Sequence, residues 1–145
     1  MLDHFYSYRT EPRAADRTEP ALAVAFIGDI ATRVGISPVT IRFYEREGLI
    51  SPHRIGRFRA YGVEQETRLN IIVEMRGMGL SIARIKEALE RFETESAFGA
   101  KESYCNLLRR HLDELVERQQ GIGREIKLTR DKLSMLSTDD LSDDA

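Results

Sequence analysis

The residues best suited to bind a ligand are six arginines that fall within one short stretch of the 145-residue chain. Residues 26–62 contain six basic and three acidic side chains, although the whole chain carries a net charge of −2. Guanidinium groups bind phosphate and carboxylate oxygens through paired hydrogen bonds. A basic patch keeps this property on an acidic protein, because salt screens charges that lie more than about 8 Å away. The stretch therefore predicts a surface that binds a polyanion, and its arginines are Arg33, Arg42, Arg46, Arg54, Arg57 and Arg59.

Other kinds of chemistry find little support in the sequence. Cys105 is the only cysteine, and the three histidines are scattered along the chain. A closed zinc site needs four ligands, and one cysteine cannot form a disulfide within a chain. The sequence contains no glycine-rich phosphate loop and no nucleophile paired with a general base. We therefore predict that the protein is not an enzyme and has neither a metal site nor a cofactor.

The sequence also lacks the features of a membrane or secreted protein. No apolar run approaches the ~18 residues that a membrane span requires. Residues 1–20 mix tyrosines, arginines and acidic residues and contain no apolar signal core. These features predict a cytoplasmic protein with no membrane partner.

Two short helices should position the first of these arginines. Apolar residues at helical spacing predict a helix from Ile27 to Val34, and Gly35 is suited to end it. Ser37 followed by Pro38 is a typical helix start, because serine caps the helix and proline fits its first turn. The second helix is predicted to run over residues 38–47. Together the two helices predict a helix-turn-helix over about residues 28–47.

The next arginines fall in a stretch that predicts a β-hairpin. Pro52 breaks the preceding apolar pair, and Gly56 stands between Arg54 and Arg57 where a turn is expected. The following residues alternate in steps of two up to Tyr61, as in a strand. This pattern indicates a wing over about residues 49–61 with arginines at its tip.

Two more helices complete a predicted DNA-binding domain over residues 26–95. They should run over residues 63–78 and 82–92, with Gly79 as the stop and Ser81 as the next cap. Their apolar residues provide a face that packs on the helix-turn-helix. Residues 1–25 have no sustained period and are predicted to be a flexible tail.

A small-residue break over residues 96–100 precedes the longest predicted helix, residues 101–136. Nine positions from 108 to 136 alternate in spacings of four and three, and seven of them are apolar. This is the seam of a coiled coil, and so long a helix needs a partner, for which an identical chain is the simplest choice. Residues 137–145 are predicted to be an acidic flexible tail. The predicted dimerisation residues are Leu108, Leu112, Leu115, Ile122, Ile126, Leu133 and Leu136.

The sequence resembles the MerR family of bacterial transcription regulators over residues 26–92. The resemblance implies a mainly α protein in which a winged helix-turn-helix precedes a long antiparallel coiled-coil dimerisation helix. It rests on Ile27-Gly28-Asp29-Ile30-Ala31, on Gly35-Ile36-Ser37-Pro38-Val39-Thr40-Ile41-Arg42-Phe43-Tyr44-Glu45, on Gly48-Leu49-Ile50, on Pro52-His53-Arg54 and Arg59-Ala60-Tyr61, and on Gly79-Leu80-Ser81 with Ile82 and Ile85.

The resemblance also implies a mechanism. A homodimer would bind a pseudo-palindrome in the promoter spacer and distort the DNA, so that RNA polymerase engages both promoter elements. Ser37 and the amides behind it could hold a phosphate, and hydroxyl and guanidinium groups on the second helix could reach base edges. Of the adjacent rings of Phe43 and Tyr44, one should pack in the core. Tyr61 resembles the family's wing-end tyrosine, but packing is an equal alternative for it. The predicted DNA-binding residues are Ser37, Val39, Thr40, Arg42, Tyr44, Arg54, Arg57, Arg59 and Tyr61.

The effector that such a regulator would sense is left open by the sequence. Metal-sensing relatives need cysteines both at the start of the dimerisation helix and after it, whereas residues 133–145 contain none. Tyr104, Cys105 and His111 could form a redox or effector site, because a helix N-terminus lowers a thiol pKa. The alternatives are that Cys105 is a buried small apolar residue, or that no small effector exists.

A second class of function also fits the residues. The chain could be an architectural DNA-binding protein, or an adaptor whose helix-turn-helix docks on protein, without promoter choice. Binding that depends on sequence, on salt and on Arg42 would favour the regulator, whereas binding indifferent to sequence would favour the alternative.

Overall fold

The computed structural model describes residues 24–139, with side chains to residue 137. The predicted tails at residues 1–23 and 140–145 lie outside the described residues. The chain is mainly α with one small sheet, as predicted. Its elements are α1 (Ile27–Val34), α2 (Pro38–Arg46), β1 (His53–Ile55), β2 (Phe58–Ala60), α3 (Val63–Gly77), α4 (Ile82–Thr94) and α5 (Ala97–Asp139).

The helix-turn-helix forms as its sequence signals predicted. Helix α1 ends at Gly35, whose φ of 75° lies in the left-handed region that glycine adopts without strain. The Gly35 N–H donates to the Ala31 carbonyl at 2.9 Å and closes the last turn. Ser37 caps α2 by accepting from the Thr40 N–H at 3.1 Å, and Pro38 occupies the first turn. The caps therefore fix both the end of α1 and the start of α2.

The wing is a short antiparallel hairpin. Strands β1 and β2 pair His53 with Ala60, Arg54 with Arg59, and Ile55 with Phe58. Gly56, with a φ of 59°, allows the reversal between them. The hairpin is shorter than the predicted wing, because β1 begins only at His53 and residues 49 and 50 are buried outside the strand.

Helices α3 and α4 together supply the largest share of the core of the helix-turn-helix and wing region. Gly79, at φ 84°, separates them, and Ser81 caps α4 by accepting from the Arg84 N–H. The Arg68 guanidinium donates to the Leu49 carbonyl and to Glu93, so that it ties α3 to α4 and to the loop before the wing. The fully buried side chains from these helices are Leu69, Ile72, Met75, Ile85, Leu89 and Phe92.

Helix α5 begins earlier than predicted. The expected break over residues 96–100 is confined to residues 95 and 96, and Ser96 caps the new helix by accepting from the Gly99 N–H at 3.2 Å. The helix starts at Ala97 rather than residue 101, and it runs to Asp139, three residues into the predicted acidic tail. Its 43 residues extend about 64 Å at 1.5 Å per residue. The described chain divides into two compact units, the first ending at Ser103 and the second beginning at Tyr104.

No helix between residues 24 and 139 is both long enough and apolar enough to cross a membrane.

Candidate nucleic-acid interface

The first turn of α2 has little capacity to bind a phosphate. Pro38 has no N–H, and the Thr40 N–H is donated to Ser37. The hydroxyls of Ser37 and Thr40 are also hydrogen-bonded to each other at 2.9 Å. Within this turn only the backbone N–H of Val39 is left to donate a hydrogen bond to an anion. The predicted anion site behind Ser37 is therefore smaller than expected, and the cap serves mainly to hold the helix in place.

Helix α2 presents one polar and cationic face away from the core. Ile41 and Tyr44 are buried, and Val39, Arg42 and Arg46 are exposed at spacings of three and four residues. Residues at this spacing lie on one face of a helix. We call this exposed row of Val39, Arg42 and Arg46 the outer stripe. Its position opposite the buried face is the placement that a helix needs to enter a groove of DNA.

The wing is held against α2 by a single carboxylate. Arg54 and Arg59 are cross-strand partners, so their side chains lie on one face of the hairpin. The Arg59 Nε donates to Glu45 Oε2 at 2.5 Å, and the Arg54 Nη2 lies 3.8 Å from Glu45 Oε1. The hydrogen bond with Glu45 raises the pKa of Arg59 above its usual value. Glu45 therefore couples the orientation of the wing to that of α2.

The remaining arginines of the surface have no such partner. Between residues 24 and 137, Arg42, Arg46 and Arg57 make no ion pair. Arg46 lies on α2, and Arg57 lies at the tip of the wing and is exposed. A phosphate oxygen would not have to displace a carboxylate to bind these three guanidinium groups. They are the cations best placed for an anionic ligand.

A groove of about 530 Å³ lies between α2 and the wing. Its lining includes the exposed rings of Phe26 and Phe58, which meet edge to face with centroids 6.0 Å apart. It also includes three of the arginines, Arg42, Arg57 and Arg59. The groove is thus open, cationic and partly aromatic, a combination suited to a sugar–phosphate backbone.

The two tyrosines predicted to bind DNA are buried instead. Tyr61 has no exposed surface, and its hydroxyl is buried with no hydrogen-bond partner among the described residues. Burial raises the pKa of Tyr61 above its usual value. The Tyr61 backbone forms two hydrogen bonds with Ala25, at 2.9 and 3.0 Å, which fix the base of the wing. The burial of Tyr61 favours the packing alternative, and its contact with a phosphate stays a prediction.

Tyr44 is 5% exposed and faces the core, whereas the neighbouring Phe43 is half-buried. The sequence left open which of these two rings would pack, and the structure assigns that role to Tyr44. Little of its surface remains for DNA, so Tyr44 acts mainly through packing.

Comparison with known proteins identifies the type of domain that carries this surface. A family model described as "MerR HTH family regulatory protein" matches residues 26–91. The chain is also 36% identical over 94 residues to the "HTH-type transcriptional regulator ZntR homolog" of Haemophilus influenzae, a match that spans 63% of this chain and 68% of that protein. The chain belongs to the MerR family. It is therefore a helix-turn-helix, DNA-binding transcription regulator with a wing and a long C-terminal helix.

Solved structures of MerR regulators share its fold. A putative MerR family transcriptional regulator from Listeria monocytogenes is 27% identical, with a TM-score of 0.55, and the match covers 82% of this chain and 95% of that one. HiNmlR, described as a MerR family regulator lacking the sensor domain and bound to promoter DNA, is 21% identical, with a TM-score of 0.53. That match covers 82% of this chain and 94% of HiNmlR, and at this identity it shows the fold alone.

The candidate effector residues of this MerR regulator are not brought together. Tyr104 and His111 are buried on α5, seven residues apart, which places them about 10 Å apart along the helix axis. The half-buried Cys105 lies one position further around the helix from Tyr104. Because α5 starts at Ala97, Cys105 is more than two turns from the helix N-terminus, where the helix dipole has little effect. The expected reason for a reactive thiol is therefore wrong.

No group of three or more metal-ligating side chains that could hold an ion occurs within residues 24–137. His111 Nδ1 lies 4.0 Å from Glu114 Oε2, within the same helix. The effector of this MerR regulator, and the absence of a metal site, stay predictions.

The predicted seam of α5 is exposed in the single chain. Six of its apolar residues are between 37% and 60% exposed, and Leu108 is half-buried. An isolated helix with such a row of leucines and isoleucines would leave a large apolar area in water. The six are Leu112, Leu115, Ile122, Ile126, Leu133 and Leu136.

Three residues of the interface were not predicted from the sequence. Phe26 and Phe58 were not assigned to the surface, although the two-residue alternation of the wing already placed Phe58 on the face opposite Arg59. Glu45 was quoted only as part of the family motif, with no role in the interface. Its role requires the distance between α2 and the wing, which no local pattern in the sequence contains.

Proposed function

We propose that this MerR regulator binds a pseudo-palindromic promoter spacer as a homodimer and distorts it to control the start of transcription by RNA polymerase. In each subunit α2 would enter the major groove, and the wing would lie against the neighbouring phosphates. The observation that carries the proposal is the shared surface of the outer stripe and the wing, where Arg42 and Arg57 line one groove without a carboxylate partner among the described residues.

The exposed seam of α5 supports the proposal that the protein is a homodimer. Leu112, Leu115 and Ile122 of one helix would pack against the apolar row of an identical chain, in the antiparallel arrangement that the family resemblance implies. Two DNA-binding surfaces related by a two-fold axis would match a palindrome. Contacts to both half-sites would offset the several kcal/mol that DNA bending costs.

The proposal is tested by footprinting on the DNA that lies upstream of the gene and by measuring affinity at several salt concentrations. We expect a two-fold symmetric protected region in a promoter spacer, with hypersensitive bonds near its centre where the duplex is distorted. Affinity should fall steeply with salt, because each phosphate contact releases counterions. Equal affinity for any duplex of the same length would favour an architectural protein and overturn the proposal.

The other candidate function is an adaptor whose helix-turn-helix docks on a protein partner and does not bind DNA. A chain that binds no duplex at low salt, while its fold is intact by circular dichroism, would favour the adaptor. The site of action would then not be the promoter.

A further inference from the structure

Val39 is an exposed apolar side chain at the start of α2. It is 67% exposed, more than any other large apolar residue between Ile27 and Arg46. Valine is also a poorer helix former than alanine, lysine or glutamate, because its branched side chain loses rotamer freedom. Neither packing nor helix stability therefore accounts for valine at this position.

The surroundings of Val39 define the kind of surface that it would contact. It begins the outer stripe, and the next two members of that row, Arg42 and Arg46, are cationic and make no ion pair among the described residues. The adjacent Thr40 hydroxyl is held by Ser37 at 2.9 Å. The tip of the helix thus presents a methyl-bearing surface with cations beside it. A partner must combine a small apolar group with nearby hydrogen-bond acceptors.

The major groove of DNA offers one such apolar group. Thymine carries a C5-methyl at the groove surface, and guanine presents two acceptors, O6 and N7, that a guanidinium binds together. We propose that Val39 is a specificity-determining residue that recognises a thymine methyl group in each half-site. This inference rests on the proposed function, since it requires α2 to lie in the major groove.

The spacing of the outer stripe predicts what lies next to that thymine. Val39 and Arg42 are three residues apart, which corresponds to about 4.5 Å along the helix axis. Consecutive base pairs are about 3.4 Å apart along the duplex. The two side chains therefore reach neighbouring base pairs, and the half-site should contain a T·A pair beside a G·C pair that Arg42 contacts.

The test removes the methyl groups of Val39 from the protein and the thymine methyl group from the DNA in turn. The preferred duplex is first selected by the wild-type protein from a library with a randomised segment. Each thymine of the selected site is then replaced by deoxyuridine, which lacks only the C5-methyl. Binding of each duplex is measured for the wild type, for Val39→Ala, and for Val116→Ala, an equivalent truncation of an exposed valine on α5. Val39→Ala should not disturb folding, because the position is exposed.

We expect deoxyuridine at one symmetric pair of positions to weaken wild-type binding roughly fourfold per half-site, the change that corresponds to one buried methyl group. Val39→Ala should weaken binding to the thymine duplex by a similar factor and should no longer distinguish thymine from deoxyuridine there. Val116→Ala should behave like the wild type.

Two results would overturn the inference. If Val39→Ala still distinguishes thymine from deoxyuridine at every position as the wild type does, Val39 does not contact the methyl group, while selection of a defined duplex leaves the proposed function intact. If the library yields no preferred duplex, both the proposed function and the inference fail.

Discussion

Glu45 of α2 accepts a hydrogen bond from Arg59 of the wing at 2.5 Å, and this contact joins two residues that lie 14 positions apart in the sequence. Arg54 approaches the same carboxylate at 3.8 Å. A wing held in this way presents its tip at a fixed distance from α2. The pair therefore matters for the geometry of binding rather than for the number of positive charges.

Glu45→Gln should reduce discrimination between DNA sequences. The substitution removes the charge that holds Arg54 and Arg59, and it makes the surface more positive by one unit. We expect affinity for random duplex to rise and the ratio of specific to random affinity to fall several-fold, measured by fluorescence anisotropy. Glu47→Gln makes the same charge change at a carboxylate that lies 3.7 Å from Lys86 of α4 instead. An unchanged ratio of specific to random affinity in Glu45→Gln would show that the contact between Glu45 and the wing does not contribute to sequence discrimination.

Arg42→Ala and Arg57→Ala should impair binding in different ways. Arg42 lies on the outer stripe, so its loss should remove about 1–3 kcal/mol of discrimination at one base pair of each half-site. Arg57 lies at the tip of the wing, so its loss should weaken binding to all sequences alike. It should also lower the slope of log affinity against log salt by about 0.9 for each phosphate that the variant no longer neutralises.

Both variants are tested by measuring their affinity for the specific duplex and for a random duplex at several salt concentrations. Equal losses on both duplexes for Arg42→Ala would contradict base recognition by that residue. An unchanged salt slope for Arg57→Ala would show that the tip of the wing does not reach the backbone.

Tyr61→Phe should stabilise the protein slightly. A buried hydroxyl without a hydrogen-bond partner is unfavourable, so its removal should raise the free energy of unfolding by about 1 kcal/mol. Urea denaturation measures this difference, and Tyr44→Phe is the control, since the Tyr44 hydroxyl is not a buried unsatisfied group. DNA affinity should stay unchanged in Tyr61→Phe. A clear loss of affinity with no gain in stability would instead favour Tyr61 as a phosphate contact.

The helices and their ends were largely predictable because their signals are local. Ser37 and Ser81 fix the starts of α2 and α4 by accepting hydrogen bonds from the N–H groups of Thr40 and Arg84, and the structure confirms both starts. The start of α5 was missed because small residues suggested a break, whereas the cap at Ser96 lets the helix begin at once. Local sequence patterns predict the conformation of about one helical turn, but they do not predict contacts beyond that turn.

The interface was only partly predictable, since its geometry depends on distances between elements. The exposed positions of Arg42 and Arg57 follow from helical spacing and from the turn at Gly56. The burial of Tyr61 does not follow from its own alternation in the strand. It depends on the pairing of Tyr61 with Ala25, across 36 residues of sequence.

We propose that two chains associate through the seam of α5 and that only the dimer recognises its operator. The direct test is sedimentation of the double variant Leu112→Asp, Leu115→Asp, together with its affinity for the operator. Both side chains are exposed in the single chain, so the change should leave its fold intact while placing charges in the apolar interface. Leu128→Asp, at an exposed leucine outside the seam, is the matched control and should remain a dimer.

We predict that the double variant sediments as a single chain and loses specific binding to the operator, whereas Leu128→Asp sediments as two chains and binds like the wild type. A double variant that remains a dimer with full operator affinity would contradict the assignment of the seam. A monomer with full affinity would contradict the requirement for two copies.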